Sequence, residues 1–396
     1  MVNKKISRII GSAAGIMGFM MAMGVVSIPA YAAEAVISQS LDAGYEMNQN
    51  GVKFKVNKIV GTKHRVKIDA VIQMETGIED YSHGNLQFNI YMDDNHEGGS
   101  SMSWGNSDEK TVKITAIDEN DEEFAPTGKL RIDAVMGEYD FNGSLIIPVD
   151  FTEDFKQNME KQIDEKINDN MKIIKFESDA ISTRLIVDEP ERNFFLRRAY
   201  DESTSFIIKA DDKIYTLNSH GTTNDENDYT VYENEGLTFN DIKDAEEIRI
   251  IPLKCNMTDK ERENYYNDMD EDSYSDKITE DKVNYTKEMS FDDGTKGEFK
   301  AERADNKIKL YCSSDSDKKS FLMASEIEGF FTGDEEDGYY YGHEDLHSSV
   351  YKDKDKEHVY VAEFDDINKN MTFEVFFDGL IKNIDKFEIG NEISVK

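Results

Sequence analysis

Val66-Lys67-Ile68-Asp69-Ala70-Val71-Ile72-Gln73-Met74 decides the fold class of this chain. Val66, Ile68, Ala70, Ile72 and Met74 alternate with Lys67, Asp69 and Gln73. A period of two gives a strand one apolar and one polar face, as in a sheet packed on one side. The same rhythm returns in Leu130, Ile132, Ala134 and Met136, broken by Arg131 and Asp133, and near the end in Phe373, Val375 and Phe377. Short strands set between Asn, Asp, Gly and Ser turns predict an all-β chain of antiparallel β-sandwiches.

Two stretches read as helix. Phe155, Met159, Ile163 and Ile167 recur every four residues behind Thr152, with Glu153 and Asp154 in the first turn. Thr258-Asp259-Lys260-Glu261 has the form of a capping box and opens a shorter run through Tyr265, Tyr266 and Met269. Both lie between strand-rich blocks and are expected to be short helical connectors.

The blocks repeat. Phe239-Asn-Asp-Ile242 precedes Ile248-Arg-Ile250, and Phe364-Asp-Asp-Ile367 precedes Phe373-Glu-Val375, at a constant offset of 125 residues. The strand pair at 172–176 and 184–187 has its counterpart at 298–300 and 307–312, and residues 52–56 and 65–74 open the first block similarly. Repetition at this period predicts tandem modules, not a short-period solenoid. The expected organisation is a module over 34–150, a helical connector over 151–170, a module over 171–256, an acidic connector with a short helix over 257–292, and a module over 293–396.

Residues 1–33 supply an address. Lys4, Lys5 and Arg8 precede an uncharged run from Ile9 to Ala33 that contains Ala30-Tyr31-Ala32. A basic start, an apolar middle and a small-x-small site are the parts of a secretory signal peptide. The run is also long enough to span a bilayer, which takes about 20 residues. It is therefore either a cleaved signal or an N-terminal membrane anchor using residues 9–28. Either way the body lies outside the cytoplasm, secreted or anchored, away from cytosolic metabolites, ATP and the chromosome.

The formal charge is −36, from 46 basic and 82 acidic side chains. That charge is expected to repel nucleic acid, anionic lipid and anionic wall polymers, to attract metal cations, cationic peptides or basic proteins, and to favour solubility. Hydrophobic content of 38%, with 11% aromatic, is enough for packed cores and is not a disordered composition. The two cysteines, Cys255 and Cys312, leave two alternatives. One is a disulfide, stabilising by ~4 kcal/mol on a chain-entropy basis. The other is a pair of buried free thiols.

The run Gly51-Val-Lys-Phe54-Lys-Val56-Asn-Lys-Ile59-Val60 resembles the start of a Gram-positive extracytoplasmic family known as domain of unknown function number 4179. Tyr139-Asp-Phe141 before Ile146-Ile147-Pro148-Val149 is similar to that family's closing strand. Residues 173–187 are similar to the opening strand pair of a second domain that follows it. The resemblance covers residues 40–255. It implies immunoglobulin-like sandwiches outside the membrane, tethered by one helix in many relatives, some of them ectodomains of sigma-factor regulators. It supplies no catalytic residues. Only about eight residues precede the apolar run here, so the chain is expected to lack the cytoplasmic domain of such a regulator.

Chemistry has few places to reside. His343-Glu344-Asp345-Leu346-His347 fits His-Glu-x-x-His, in which two histidines on one helix face bind zinc and the Glu activates water. Glu363 or Glu374 would supply a third ligand. Gly338 and Gly342 upstream, Asp345 within and Ser348-Ser349 after it disfavour an apolar helix. The 125-residue offset sets the motif opposite Asn218–Thr222, a polar stretch that reads as a loop. Asp268, Asp270 and Asp272 resemble the start of a calcium loop. Ser273 stands where the turn needs Gly, and Thr279 where the bidentate Glu belongs, so weak calcium binding is the most such a loop supports. Tyr339-Tyr340-Tyr341 offers an aromatic platform for sugar or peptide. The expected function is a non-enzymatic envelope protein that binds, senses or supports, with no cofactor and a surface protein or glycan as partner. A membrane-tethered sensor ectodomain with a separate signalling partner, and a zinc-dependent hydrolase using His343, Glu344 and His347, are the alternatives.

Overall fold

A computed structural model describes residues 45–75, 86–93, 99–108, 110–120, 122–189, 203–223, 229–256, 258, 260–261, 275–278, 284–291, 293–304, 306–325, 328–332, 348–365, 372–376 and 384–396. The chain is all-β with antiparallel pairing throughout these residues, and it divides into two compact units, Met1–Lys156 and Gln157–Lys396. No helix among the described residues is long and apolar enough to cross a membrane.

The first unit contains β1 (Tyr45–Gln49), β2 (Val52–Gly61), β3 (Arg65–Met74), β4 (Leu86–Met92), β5 (Gly99–Asp108), β6 (Thr111–Glu119), β7 (Thr127–Met136) and β8 (Phe141–Asp150). They form a sheet in the order β1-β2-β3-β6-β5 and a second sheet β4-β7-β8. The alternation of β3 is realised as read: Val66, Ile68, Ala70, Ile72 and Met74 are all buried. They meet Phe88, Ile90, Leu130, Ile132, Ala134 and Leu145 of the other sheet in one core. Phe54 and Phe88 touch edge to face across it, with centroids 5.9 Å apart. Each such side chain contributes about 1.5–3 kcal/mol by leaving water. The β1–β2 turn is Asn50-Gly51, with φ of 52° and 78°. Two left-handed residues make the tight turn whose twist matches flanking strands, and Asn-Gly is the pair that adopts it at least cost.

The second unit opens with β9 (Asn158–Asn168), β10 (Met171–Asp179), β11 (Thr183–Asp188), β12 (Ser203–Ala210), β13 (Lys213–Thr222) and β14 (Thr230–Asn234). The short helix α1 (Phe239–Ile242) and β15 (Ile248–Cys255) follow. Then come β16 (Ser275–Ile278), β17 (Asn284–Ser290), β18 (Lys296–Ala304), β19 (Lys307–Ser313) and α2 (Asp317–Ser325). The chain finishes with β20 (Glu328–Thr332), β21 (Ser348–Lys352), β22 (Val359–Phe364), β23 (Thr372–Phe376), β24 (Phe387–Ile389) and β25 (Ile393–Ser394).

The offset of 125 places Met171–Asp179 on Lys296–Ala304, so β10 corresponds to β18; β11 falls on β19 and the start of β12 on the start of β20. The corresponding strands run β17-β18-β19-β22-β21 on one side and β13-β14-β11-β10-β9 on the other. β21 and β13 join them at Lys213–Tyr351 and Ile214–Val350. The joining strand β13 serves two sheets. Its first half pairs with β12 and β21, its second half with β14.

The two halves are not separate sandwiches. Phe206, Ile208, Ile248 and Ile250 face a core with Phe176, Leu185 and Tyr232. Ile207, Ile251, Leu253 and Cys255, on the opposite faces of the same two strands, face a second core with Phe299, Leu310, Leu322 and Phe364. β12 and β15 are thus a wall shared by two cores, which is why both are apolar at consecutive positions.

Three expectations are corrected. The segment 151–170 is not a helix: after a single turn at Asp154–Lys156 it becomes β9. A spacing of four fits a strand as well as a helix, and Met159, Ile163 and Ile167 pack on the core from one edge strand. The segment 257–292 contains β16 and β17, so it is partly sheet; its capping box does close, with Thr258 N–H and Oγ1 each donating to Glu261 at 2.8 Å. Asn218–Thr222 is the end of β13, not a loop.

Candidate functional site

The outer face of the five-stranded sheet is built by the positions that alternate with its core residues. Cross-strand partners set side chains about 4.8 Å apart, and alternate residues along a strand stand about 7 Å apart. Nearest the Asn50-Gly51 turn, Asn48, Lys53, Gln73 and Thr111 are successive neighbours across β1, β2, β3 and β6. Glu46, Lys55, Val71 and Lys113 form the next row. Lys58 beside Asp69 and Thr115, and Val60 beside Lys67 and Ile117, continue it.

Five lysines stand at outward positions of this sheet with Glu46 and Asp69 among them and Asp108 and Glu119 at the margins, in a chain in which acids outnumber bases. Lys53 pairs with Glu46 at 2.7 Å, and Asp69 accepts from the Thr115 hydroxyl at 3.0 Å. Lys55 and Lys113 have no carboxylate partner among the described residues, and Lys58 and Lys113 are exposed. A shallow, open cleft of about 700 Å³ lies at the turn end of the face, lined by Asn48, Asn50, Lys53, Gln73, Glu75 and Lys110 among others. The turn that walls it is pinned: Asn50 Nδ2 donates to the Asp140 carbonyl at 2.7 Å, and the Asn142 N–H donates to Gln49 Oε1 at 3.1 Å.

The charged clusters of the second unit behave differently. Burial pushes the Glu363 carboxyl up, but Lys309, Tyr351 and Lys307 outweigh it and hold it at about 2. Lys309 lies 2.9 Å from it, and the Tyr351 hydroxyl donates to it at 2.7 Å. Burial opposes ionisation of Glu177 as well, and the charges of Arg184 and Lys175 bring it to about 2. A hydrogen bond from Lys319, then those from Thr295, hold Asp293 at about 2. General acids and bases work best with a pKa near the operating pH. These groups are fixed in their charged forms, as structural ties require.

His343, Glu344 and His347, the acids Asp268, Asp270 and Asp272, Tyr339–Tyr341 and the segment 1–33 lie outside the described residues. Of the two carboxylates considered as a third zinc ligand, Glu363 is occupied by the network above. Glu374 is in β23, opposite Lys277 and Phe330. Among the described residues no group of three or more His, Cys, Asp or Glu is placed to hold a metal. Cys255 and Cys312 are both buried in the core of the second half and are free thiols, so the disulfide is corrected to the alternative of two small apolar side chains. Burial pushes the Cys312 thiol well above its usual range.

The lysine face escaped the sequence reading. Lys53 and Lys55, alternating with Val52, Phe54 and Val56, were its visible signal. Lys113 joins them only through the β3–β6 pairing, which no local pattern announces.

No family model matches the chain, and no curated protein matches it. A solved structure described as "the conserved domain protein from Bacillus anthracis" is similar to it at a TM-score of 0.38 and 16% identity. The likeness covers 54% of this chain and 77% of that one, and carries no functional argument at this level.

Proposed function

We propose that this is a non-enzymatic protein of the cell envelope, carried out of the cytoplasm by residues 1–33, that binds an anionic surface partner through the outer face of its five-stranded sheet. Charge segregation carries the reading. Lysines gather on one sheet face of a chain with net charge −36, while the second unit's strongly shifted carboxylates are locked in pairs. A face that keeps unpaired cations against that background steers an anionic partner to itself.

Cell fractionation tests the placement. The protein is expected in the envelope or the medium, and an intact chain confined to the cytosol would overturn the proposal. Metal analysis of the purified protein tests the chemistry. No stoichiometric zinc is expected, and His343→Ala is expected to leave stability and binding unchanged; one zinc per chain, lost in that variant, would favour the hydrolase instead.

A further inference from the structure

We infer that the lysine face of the first unit docks on the phosphate headgroups of an anionic phospholipid bilayer. This rests on the binding face proposed above and names its partner.

Charge is the first argument. Lys53, Lys55, Lys58, Lys67 and Lys113 share the face with Glu46 and Asp69, and the register sets Asp108 and Glu119 at its margins. Both units are acidic overall, with 14 basic and 23 acidic side chains in residues 1–156 and 32 and 59 in residues 157–396, so the face stands out within its own unit. An anionic surface is attracted to this face and repelled by the rest of both units.

Chemistry is the second. All five cations are lysines, compact charges on flexible stems, where a fixed carboxylate or phosphate geometry would call for the planar fork of arginine. A fluid layer of headgroups offers many phosphates and no single geometry. Val60, Val71 and Ile117 stand between the lysines on the same face, apolar surface along which lysine stems can lie while their ammonium groups stay in water.

Position is the third. The uncharged run ends at Ala33 and β1 begins at Tyr45, so eleven residues separate them. An extended chain of that length spans at most about 40 Å. β1 is itself the edge strand of the lysine-bearing sheet. With the run in a bilayer, the sheet stays within about 40 Å of a surface potential that decays over about 8–10 Å, and the lysines supply the attraction that closes the gap.

The test uses the full chain, incorporated through its apolar run into vesicles of phosphatidylcholine alone or of phosphatidylcholine with phosphatidylglycerol. A water-soluble amine-acylating reagent followed by mass spectrometry reads each lysine. Lys55 and Lys113 are expected to be several-fold less acylated in the anionic vesicles, and exposed Lys296 unchanged. High salt is expected to remove the protection. In Lys55→Glu/Lys113→Glu, Lys58 and Lys67 are expected to lose theirs. Equal acylation in both vesicle types overturns the inference, as does equal protection in both, which would assign the face to a protein or a second copy. Protection by soluble polyphosphate but not by anionic vesicles overturns it in favour of a free phosphate polymer. The footprint is read on purified protein and fractionation on cells, so this inference and the export proposal fail separately.

Discussion

Glu177 shows how single residues secure this fold. It sits on β10 opposite Arg184 of β11, and its side chain is only 14% exposed. A carboxylate so placed is costly unless paired, and removing one partner of a buried pair strands the other. Because its folded pKa of about 2 lies below the ordinary 4.5, Glu177 contributes stability that is present above about pH 4.5 and lost as pH falls toward 2. Arg184→Met removes one of Glu177's two cationic partners, Lys175 being the other, and is expected to lower stability by about 1.5–3 kcal/mol at neutral pH. The deficit is expected to shrink below pH 4.5, as the stranded carboxyl takes up its proton. Urea unfolding at pH 7 and pH 3 measures both; a deficit that grows on acidification contradicts this role.

At the scale of elements, the wall strands distinguish the second unit from a chain of separate sandwiches. Ile207 faces the core of Phe299 and Leu310, and its neighbours Phe206 and Ile208 face the core of Phe176 and Leu185. Ile207→Ala is expected to cost about 2–5 kcal/mol. Amide exchange in β10 and β18 is expected to accelerate together, since one wall supports both cores; acceleration in β18 alone would contradict a shared wall.

The same strands mark how far the sequence was legible. Half-buried strands such as β3 announce themselves by alternation, because water lies on one side. Ile248–Cys255 has protein on both sides and loses the alternation, so a local pattern cannot reveal that two modules share it. Met159, Ile163 and Ile167 misled for another reason. Four is close to a helical turn and is also an even number, and the polar residues between them belong to an edge strand. The 125-residue offset was legible because it compares like with like, and it matched β18 and β19 to β10 and β11 without any contact being known. The lysine face was legible only in part, since β2 carries its pattern locally and the register of β3 on β6 completes it.

Across the whole molecule, charge and topology divide the labour. The second unit spends its charged side chains on ties such as Lys319 with Asp293 and Lys309 with Glu363. The first unit keeps a face where cations are in excess and two lysines stand without carboxylate partners among the described residues. The N-terminal run leads into the edge strand of that sheet. On the proposed reading, export, attachment and recognition converge on the first unit. A photoactivatable cross-linking residue placed at Gln73, on the face, and separately at Lys296, on the second unit, tests this directly in intact cells. Light-dependent adducts with envelope material are expected from Gln73 and not from Lys296. Adducts from neither position, or from Lys296 alone, would contradict a binding face on the first unit.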